Sequence, residues 1–373
     1  MNSLEVRKKT ILNIHESEFK FVIVSSGGGS NAIGSLLKVP GASNSILEAY
    51  IPYAKESLDF YLMKKPESYC SLDTTTRMAA RAYSAAKKID QQTNIKKLFG
   101  IAISASLSTN YEKKGEHRFH IALQTRDFSQ SISCTLDKGL RTREEEEELV
   151  TEFVIALISD CCGFEFKYPV IDEEVEHTKI SAQEGWANLM SEKIKFVTSN
   201  KSMPKLIFPG AFNPMHEGHL AMSELAEKEL NEEVFFEICI QNVDKPPLSY
   251  HQIKKTIDQF GNAKNWVLTK AGKFSDKAKL FPNSTFIIGA DTLVRIFDER
   301  FYASRREMIE EFEIFNKNEN NFLVFGREYK NKFIELGDIQ IPDSIKSRFK
   351  GFGENIFRKD VSSTIIRAQS AED

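Results

Sequence analysis

Apolar runs separated by polar, glycine-containing turns set the rhythm of this chain. In the first half, Phe21-Val22-Ile23-Val24 reads as a buried strand. The turn Ser25-Ser26-Gly27-Gly28-Gly29-Ser30 follows, and then a helix to about Lys38. A second turn, Val39-Pro40-Gly41-Ala42-Ser43, predicts another helix behind it, and residues 74–88 predict a further one. Ile101-Ala102-Ile103-Ser104 and Phe119-His120-Ile121-Ala122-Leu123 predict strands. Leu149, Val150, Phe153, Val154, Leu157 and Ile158 recur at helical spacing behind the acidic run 144–148. Carboxylates there complement the positive end of a helix dipole, and a solvated helix start is the expectation for that run.

The second half repeats the style, with strands near Leu206 and at 235–240, 285–288 and 322–325 and helical segments between them. Strand–helix alternation of this kind predicts an α/β fold with a parallel sheet covered on both faces. Ligands of such sheets sit at the carboxyl ends of the strands. Between the halves lies a polar stretch, with a helix predicted over 181–196. The expected organisation is two α/β domains, 1–170 and 203–373, joined by a structured connector, 171–202.

Composition narrows the picture. A chain of 373 residues is too long for one ordinary core. With 50 basic and 53 acidic side chains, nothing global points to a nucleic-acid or membrane partner. There is no basic-plus-apolar leader and no run of about 18 apolar residues. Five cysteines without framework spacing suggest a reducing compartment, and Cys161 and Cys162 read as small core residues. A cytoplasmic protein is the expectation.

The candidate chemistry is concentrated in Phe208-Pro209-Gly210-Ala211-Phe212-Asn213-Pro214-Met215-His216-Glu217-Gly218-His219-Leu220. An apolar strand runs through a glycine turn into a helix marked by Ala221, Met222, Leu225, Ala226 and Leu230. Two histidines three residues apart at a helix start share a face. Flanking glycines let an anion approach the backbone, and the helix N-terminus favours negative charge. His177 and His251 carry no motif.

This turn resembles the G-x-F-x-P-x-H-x-G-H signature of the nucleotidylyltransferase superfamily, which implies a Rossmann-like parallel-sheet domain over 203–373. Three later segments resemble elements of nicotinamide and nicotinate mononucleotide adenylyltransferases. These are Asn242-Val243-Asp244-Lys245-Pro246-Pro247, Phe286-Ile287-Ile288-Gly289-Ala290-Asp291-Thr292-Leu293 and Val361-Ser362-Ser363-Thr364-Ile365-Ile366-Arg367. The resemblance implies catalytic roles for His216 and His219. It implies ATP contacts from Gly210, Phe212, Gly289, Asp291, Ser362, Ser363, Thr364 and Arg367, and mononucleotide contacts from Ala211 and Lys245. Trp266 is either a platform for a pyridine ring or a core aromatic. Nucleotidyl transfer brings two strongly anionic groups to one phosphorus, so positioning and charge neutralisation dominate. The histidines would donate hydrogen bonds to phosphate oxygens, Arg367 would add a forked cation, and Mg²⁺ would be held through the ATP phosphates, with no protein metal site.

In the first half, Val24-Ser25-Ser26-Gly27-Gly28-Gly29, Val39-Pro40-Gly41-Ala42-Ser43 and Ile51-Pro52-Tyr53 resemble the C-terminal domain of the CinA family. That family deamidates nicotinamide mononucleotide. Its pattern, E-S-C-T-G-G, then P-G-A-S, then V-x-Y-S-x-x-x-K, differs here: Val24, Ser26 and Gly27 replace Glu, Cys and Thr, and Leu58 falls where Lys is expected. Ser25 or Ser43 as nucleophile, Lys55 as base and Tyr53 beside it form the possible N-terminal site, since a hydroxyl needs an adjacent base. The alternative is a turn that cradles a phosphate, or merely packs. Together the resemblances imply AMP transfer from ATP to a pyridine mononucleotide in NAD synthesis, with self-association plausible through the CinA-like half. Cytidylyl or pantetheine-phosphate transfer on the same fold, and a non-catalytic pyridine-nucleotide sensor, are the competing readings.

Overall fold

Phe21 and Ile23 pack on one side of a sheet and Val22 and Val24 on the other, and all four are fully buried. A strand apolar on both faces requires cover on both faces. The computed structural model describes residues 3–111, 113–241, 247–330, 332–359, 361, 363 and 366. The chain forms two compact units, Met1–Ser191 with Val243–Ile253, and Glu192–Asn242 with Lys254–Asp373.

The first unit runs α1 (Ser3–Glu16), β1 (Lys20–Gly27), α2 (Asn31–Leu37), β2 (Ile46–Tyr50), α3 (Lys55–Leu62), α4 (Leu72–Ile89), β3 (Leu98–Ser106), β4 (His117–Gln124), β5 (Phe128–Leu136), α5 (Arg143–Cys162), β6 (Val175–Ser181) and α6 (Glu184–Met190). Its sheet has the order β2-β1-β3-β4-β5-β6. β1 is parallel to β2 and β3, whereas β3 to β6 pair antiparallel, so this sheet is mixed. Apolar residues of α1, α2 and α5 cover one face, and α3 and α4 cover the other.

Two local expectations change here. The Pro40-Gly41 turn leads through a short 3₁₀ turn, Ala42–Asn44, into the strand β2 and not into a helix. The segment 247–253, placed by sequence in the second domain, belongs to the first unit. There Tyr250 is fully buried and donates its backbone N–H to Ser129 Oγ over 3.0 Å.

The second unit contains β7 (Phe196–Thr198), β8 (Leu206–Pro209), α7 (Glu217–Leu230), β9 (Val234–Cys239), the end of α8 (Tyr250–Asp258), β10 (Asn265–Thr269), α9 (Phe274–Leu280), β11 (Thr285–Gly289), α10 (Ala290–Ile296), α11 (Arg305–Lys317) and β12 (Asn321–Phe325). A small hairpin, β13 (Arg327–Tyr329) and β14 (Lys332–Ile334), precedes β15 (Phe349–Phe352). The main sheet has the order β15-β12-β11-β8-β9-β10-β7 and is parallel except for β7. Ile207, Phe286, Ile288, Phe322 and Val324 pack against apolar residues of α9, α10 and α11. The stretch expected as a connector, 171–202, instead supplies β6 to the first sheet and β7 to the second. The helix expected over 181–196 is confined to α6.

Buried within the second unit, Lys277 Nζ donates to both oxygens of Glu237 at 2.8 Å and to the Ala271 carbonyl at 2.6 Å. Thr269 donates to the same carboxylate, so both charges are paired and hydrogen-bonded. No helix among the described residues is long and apolar enough to cross a membrane.

Candidate functional site

The turn from Pro209 to His216 leaves the carboxyl end of β8 and delivers His216 to the N-cap of α7. His216 has extended backbone there (φ −142°, ψ 169°). Its backbone N–H donates to Nδ1 of His219 over 3.3 Å, which places the His219 proton on Nε2. The two imidazoles stack with centroids 3.7 Å apart and planes 24° from parallel. The rings of Phe208 and Phe212 meet His219 edge-on at 5.7 and 5.1 Å. Burial among these rings, then the neighbouring His216 and the Arg327 guanidinium, push His219 down to about 3. Burial and Arg327 also hold His216 below its ordinary value, against the opposing Glu217. Both histidines are therefore neutral hydrogen-bonding groups at pH 7.

Phe212 was expected to touch ATP, but it is only 1 % exposed, enclosed by Phe208, Phe236, Phe260 and His219. Its part is to pack His219. Gly210 follows from that placement, because a Cβ there would lie 2.6 Å from the Phe212 ring. Its backbone N–H is spent on the Glu237 carbonyl at 3.0 Å. Ala211 is exposed beside them.

Gly289 closes β11, and a Cβ on it would lie 2.5 Å from Asp291 Oδ1, so glycine here makes room for the carboxylate. That oxygen is buried without a hydrogen-bond partner, as is His216 Nδ1. Leaving buried polar atoms unpaired costs about 1–3 kcal/mol each, so they mark places where a ligand would be favoured. Arg327 acts on both residues. Its Nη1 lies 4.0 Å from Asp291 Oδ1, and its charge acts on both histidines. Sequence reading missed Arg327. Its signal was the position just past β12, at the carboxyl end of a parallel strand.

The late Ser-Ser-Thr-Ile-Ile-Arg segment reaches this turn through Ser363, whose hydroxyl donates to the Pro214 carbonyl over 2.9 Å. Ser362, Thr364, Arg367 and Lys245 lie outside the described residues. Among the described residues, no hydrogen bond or ring contact joins Trp266 to either histidine. It sits at the amino end of β10, with its backbone paired to Ser199, three residues short of the carboxyl end. That is about 10 Å along the strand. Gln259 was missed entirely: its carboxamide donates to the Phe212 carbonyl and accepts from the Met215 N–H, both at 2.9 Å.

In the first unit the expected nucleophile–base group does not assemble. Ser25 is fully buried and donates to the Gly28 carbonyl at 3.1 Å. Ser43 and Tyr53 are exposed, and Lys55 opens α3 with its Nζ 5.6 Å from the centre of the Tyr69 ring. Among the described residues, no hydrogen bond or ion pair joins any two of these four. The Gly29 N–H that could meet a phosphate donates instead to Glu147 at 2.7 Å.

Nor is the acidic run simply a solvated helix start. Glu146 is fully buried, accepting from Ser108 N at 2.6 Å and bonded to His117 Nδ1 at 2.8 Å. Glu147 is paired with Arg143, while Glu144 and Glu145 remain exposed.

Residues 207–369, from β8 through the Ser-Ser-Thr-Ile-Ile-Arg segment, match the family model described as Cytidylyltransferase-like. This half is a cytidylyltransferase-like domain. The histidine pair, Asp291, Arg327 and Ser363 all fall within the cytidylyltransferase-like domain, and the match supports nucleotidyl transfer as its reaction class. The N-terminal half matches solved CinA-type structures. One is a competence or damage-inducible protein from Enterobacter asburiae, at 15% identity and a TM-score of 0.36, covering 43% of this chain and 99% of that one. Another is a CinA superfamily protein from Klebsiella pneumoniae, at 13% identity and a TM-score of 0.34, covering 44% of this chain and 99% of that one. A third, from Escherichia coli, has 12% identity and a TM-score of 0.34 and covers 43% of this chain and 92% of that one. No curated protein matches the chain.

Proposed function

We propose that the cytidylyltransferase-like domain transfers AMP from ATP to nicotinamide or nicotinate mononucleotide, releasing pyrophosphate. The observation that carries this reading is the stacked His216–His219 pair at the N-cap of α7, within the field of the Arg327 guanidinium, which is itself paired with an Asp291 oxygen that is buried and accepts no hydrogen bond. A phosphate nucleophile needs no general base, so neutral imidazoles with N–H groups aimed at phosphate oxygens are the useful form. Arg327 supplies the fixed positive charge that the histidines lack, and a guanidinium can hold phosphate oxygens in a two-pronged grip. Mg²⁺, carried by the ATP phosphates, would neutralise charge on the departing pyrophosphate.

The choice of a pyridine mononucleotide over a cytidylyl or pantetheine acceptor rests on the motif resemblances of Gly289-Ala290-Asp291 and Ser362-Ser363-Thr364. The company of a CinA-like half supports it further. For that half we propose a fold without amide hydrolysis, supported by the engagement of Ser25 with Gly28 and of Gly29 with Glu147.

The test is pyrophosphate release from a panel of nucleoside triphosphates and phosphorylated acceptors with Mg²⁺. ATP with a pyridine mononucleotide should be the preferred pair, and His216→Ala should lower its kcat by roughly 100- to 1000-fold. Preference for CTP or for phosphopantetheine would reject the assignment. Ammonia release from nicotinamide mononucleotide should stay at background, and release above background would restore an amidase.

A further inference from the structure

We propose that Gln259 is a positioning residue for the histidine turn: its carboxamide clamps the backbone on both sides of Asn213-Pro214 and so sets the orientation of His216 against His219. This goes one step beyond the nucleotidyl-transfer reading, and its consequence for turnover rests on that reading.

Gln259 is an exposed residue, just past the end of α8. Exposed glutamines ordinarily spend their amide on water, yet here both ends are engaged with one turn. Nε2 donates to the Phe212 carbonyl at 2.9 Å and, less closely, to Thr256 O at 3.4 Å. Oε1 accepts from the Met215 N–H at 2.9 Å. Only one orientation of the amide satisfies both partners, since a flipped amide would set oxygen against oxygen and N–H against N–H. No other side chain of this length offers one donor and one acceptor in a single plane.

The turn needs holding. Phe212 has φ +43°, a conformation that side-chain-bearing residues avoid. Met215 immediately precedes His216, so fixing the Met215 amide plane restricts the dihedral angles that carry the His216 ring. His216 must stay extended for its N–H to reach His219 Nδ1, and the stacked rings must stay in contact to exclude water. Ser363 anchors the same turn from the Pro214 carbonyl. The clamp on Phe212 and Met215 brackets that anchor. Loss of the clamp would let the turn relax, separate the rings and admit solvent to His219, while the strand and helix on either side keep their own packing.

Two substitutions in the full chain separate this role from a general effect on folding. Gln259→Met keeps the length and loses both bonds. Gln259→Glu keeps the acceptor for Met215 N–H and loses the donor to Phe212 O. The readouts are histidine ring titrations by NMR and steady-state pyrophosphate release, with thermal unfolding as the control. In the unsubstituted chain His219 should stay neutral down to about pH 5. In Gln259→Met its midpoint should rise above about pH 5, toward the ordinary histidine value, and Gln259→Glu should fall between. With that rise, kcat should fall roughly 10- to 100-fold while the KM for nucleotide changes less than about threefold. An unmoved His219 midpoint in Gln259→Met overturns the proposal, whatever happens to turnover. A shifted midpoint in a chain that shows no transfer with any tested nucleotide keeps Gln259 as the holder of the turn and rejects nucleotidyl transfer instead.

Discussion

The imidazoles of His216 and His219 lie 3.7 Å apart, stacked, with the backbone N–H of the first bonded to Nδ1 of the second. Two cationic rings could not share that space, so the stack excludes the doubly protonated pair, and both rings are held below the ordinary histidine value. Burial supplies the neutrality, and Arg327 reinforces it. Arg327 brings positive charge to the site, and the histidines contribute directed N–H groups.

Acid should weaken the fold through this pair. Below pH 6.5 the unfolded chain binds a proton on His219 that the folded chain refuses until about 3. The folded value is the lower one, so stability is full above 6.5 and is lost as pH falls across that window. The slope approaches about 1.4 kcal/mol per pH unit for one such group. Urea unfolding at pH 7, 6 and 5 should therefore show a shallower loss for His219→Gln than for the unsubstituted chain. His120, held down to about 4 by burial, contributes the same loss to both. Parallel pH profiles would mean that His219 titrates normally.

Arg327→Gln removes the cation that faces both histidines and Asp291. The KM for nucleotide should rise about tenfold or more, as expected when a charge-assisted bond to phosphate is lost. The same change should raise the titration midpoints of His216 and His219, because Arg327 lowers both. An unchanged KM in a folded variant would remove Arg327 from the ligand site.

The carboxylates at the start of α5 should separate by burial. Glu146→Ala strips a partner from Ser108 N–H and from His117, both beside a fully buried position, and should destabilise the chain by about 2–4 kcal/mol. Glu144→Ala, at an exposed position, should stay within about 0.5 kcal/mol. Denaturant midpoints decide the matter, and equal effects would return the whole run to a solvated helix start.

Much of the second unit was readable in sequence because its signals are local. The strands at Leu206, 235–240, 285–288 and 322–325 are short apolar runs, and runs covered on both faces need no alternation. The histidine turn is contiguous, so its glycines and its helix start could be read together. β6 was not legible, since an edge strand with polar exposed residues, Val175–Ser181, carries no apolar signature, and β7, Phe196–Thr198, is too short to show a period. The strand β2 was hidden behind a proline–glycine turn, and β5 has serine at alternate positions where a core strand would show aliphatics.

Sequence by itself determined the α/β alternation, the helix-start histidines and the glycines around them, because these depend on neighbours within a few residues. Tertiary structure alone decided which groups share the site. It set Arg327 against Asp291 and the histidines, brought Ser363 to Pro214 across a separation of 149 residues, and gave Gln259 the turn to hold. It also turned Phe212 inward, left Trp266 at the amino end of its strand and engaged the Gly29 N–H with Glu147. The physical reason is the same throughout. Burial and hydrogen-bond pairing are properties of the packed chain, and a residue type at a motif position does not reveal whether its polar atoms are already satisfied by another part of the fold.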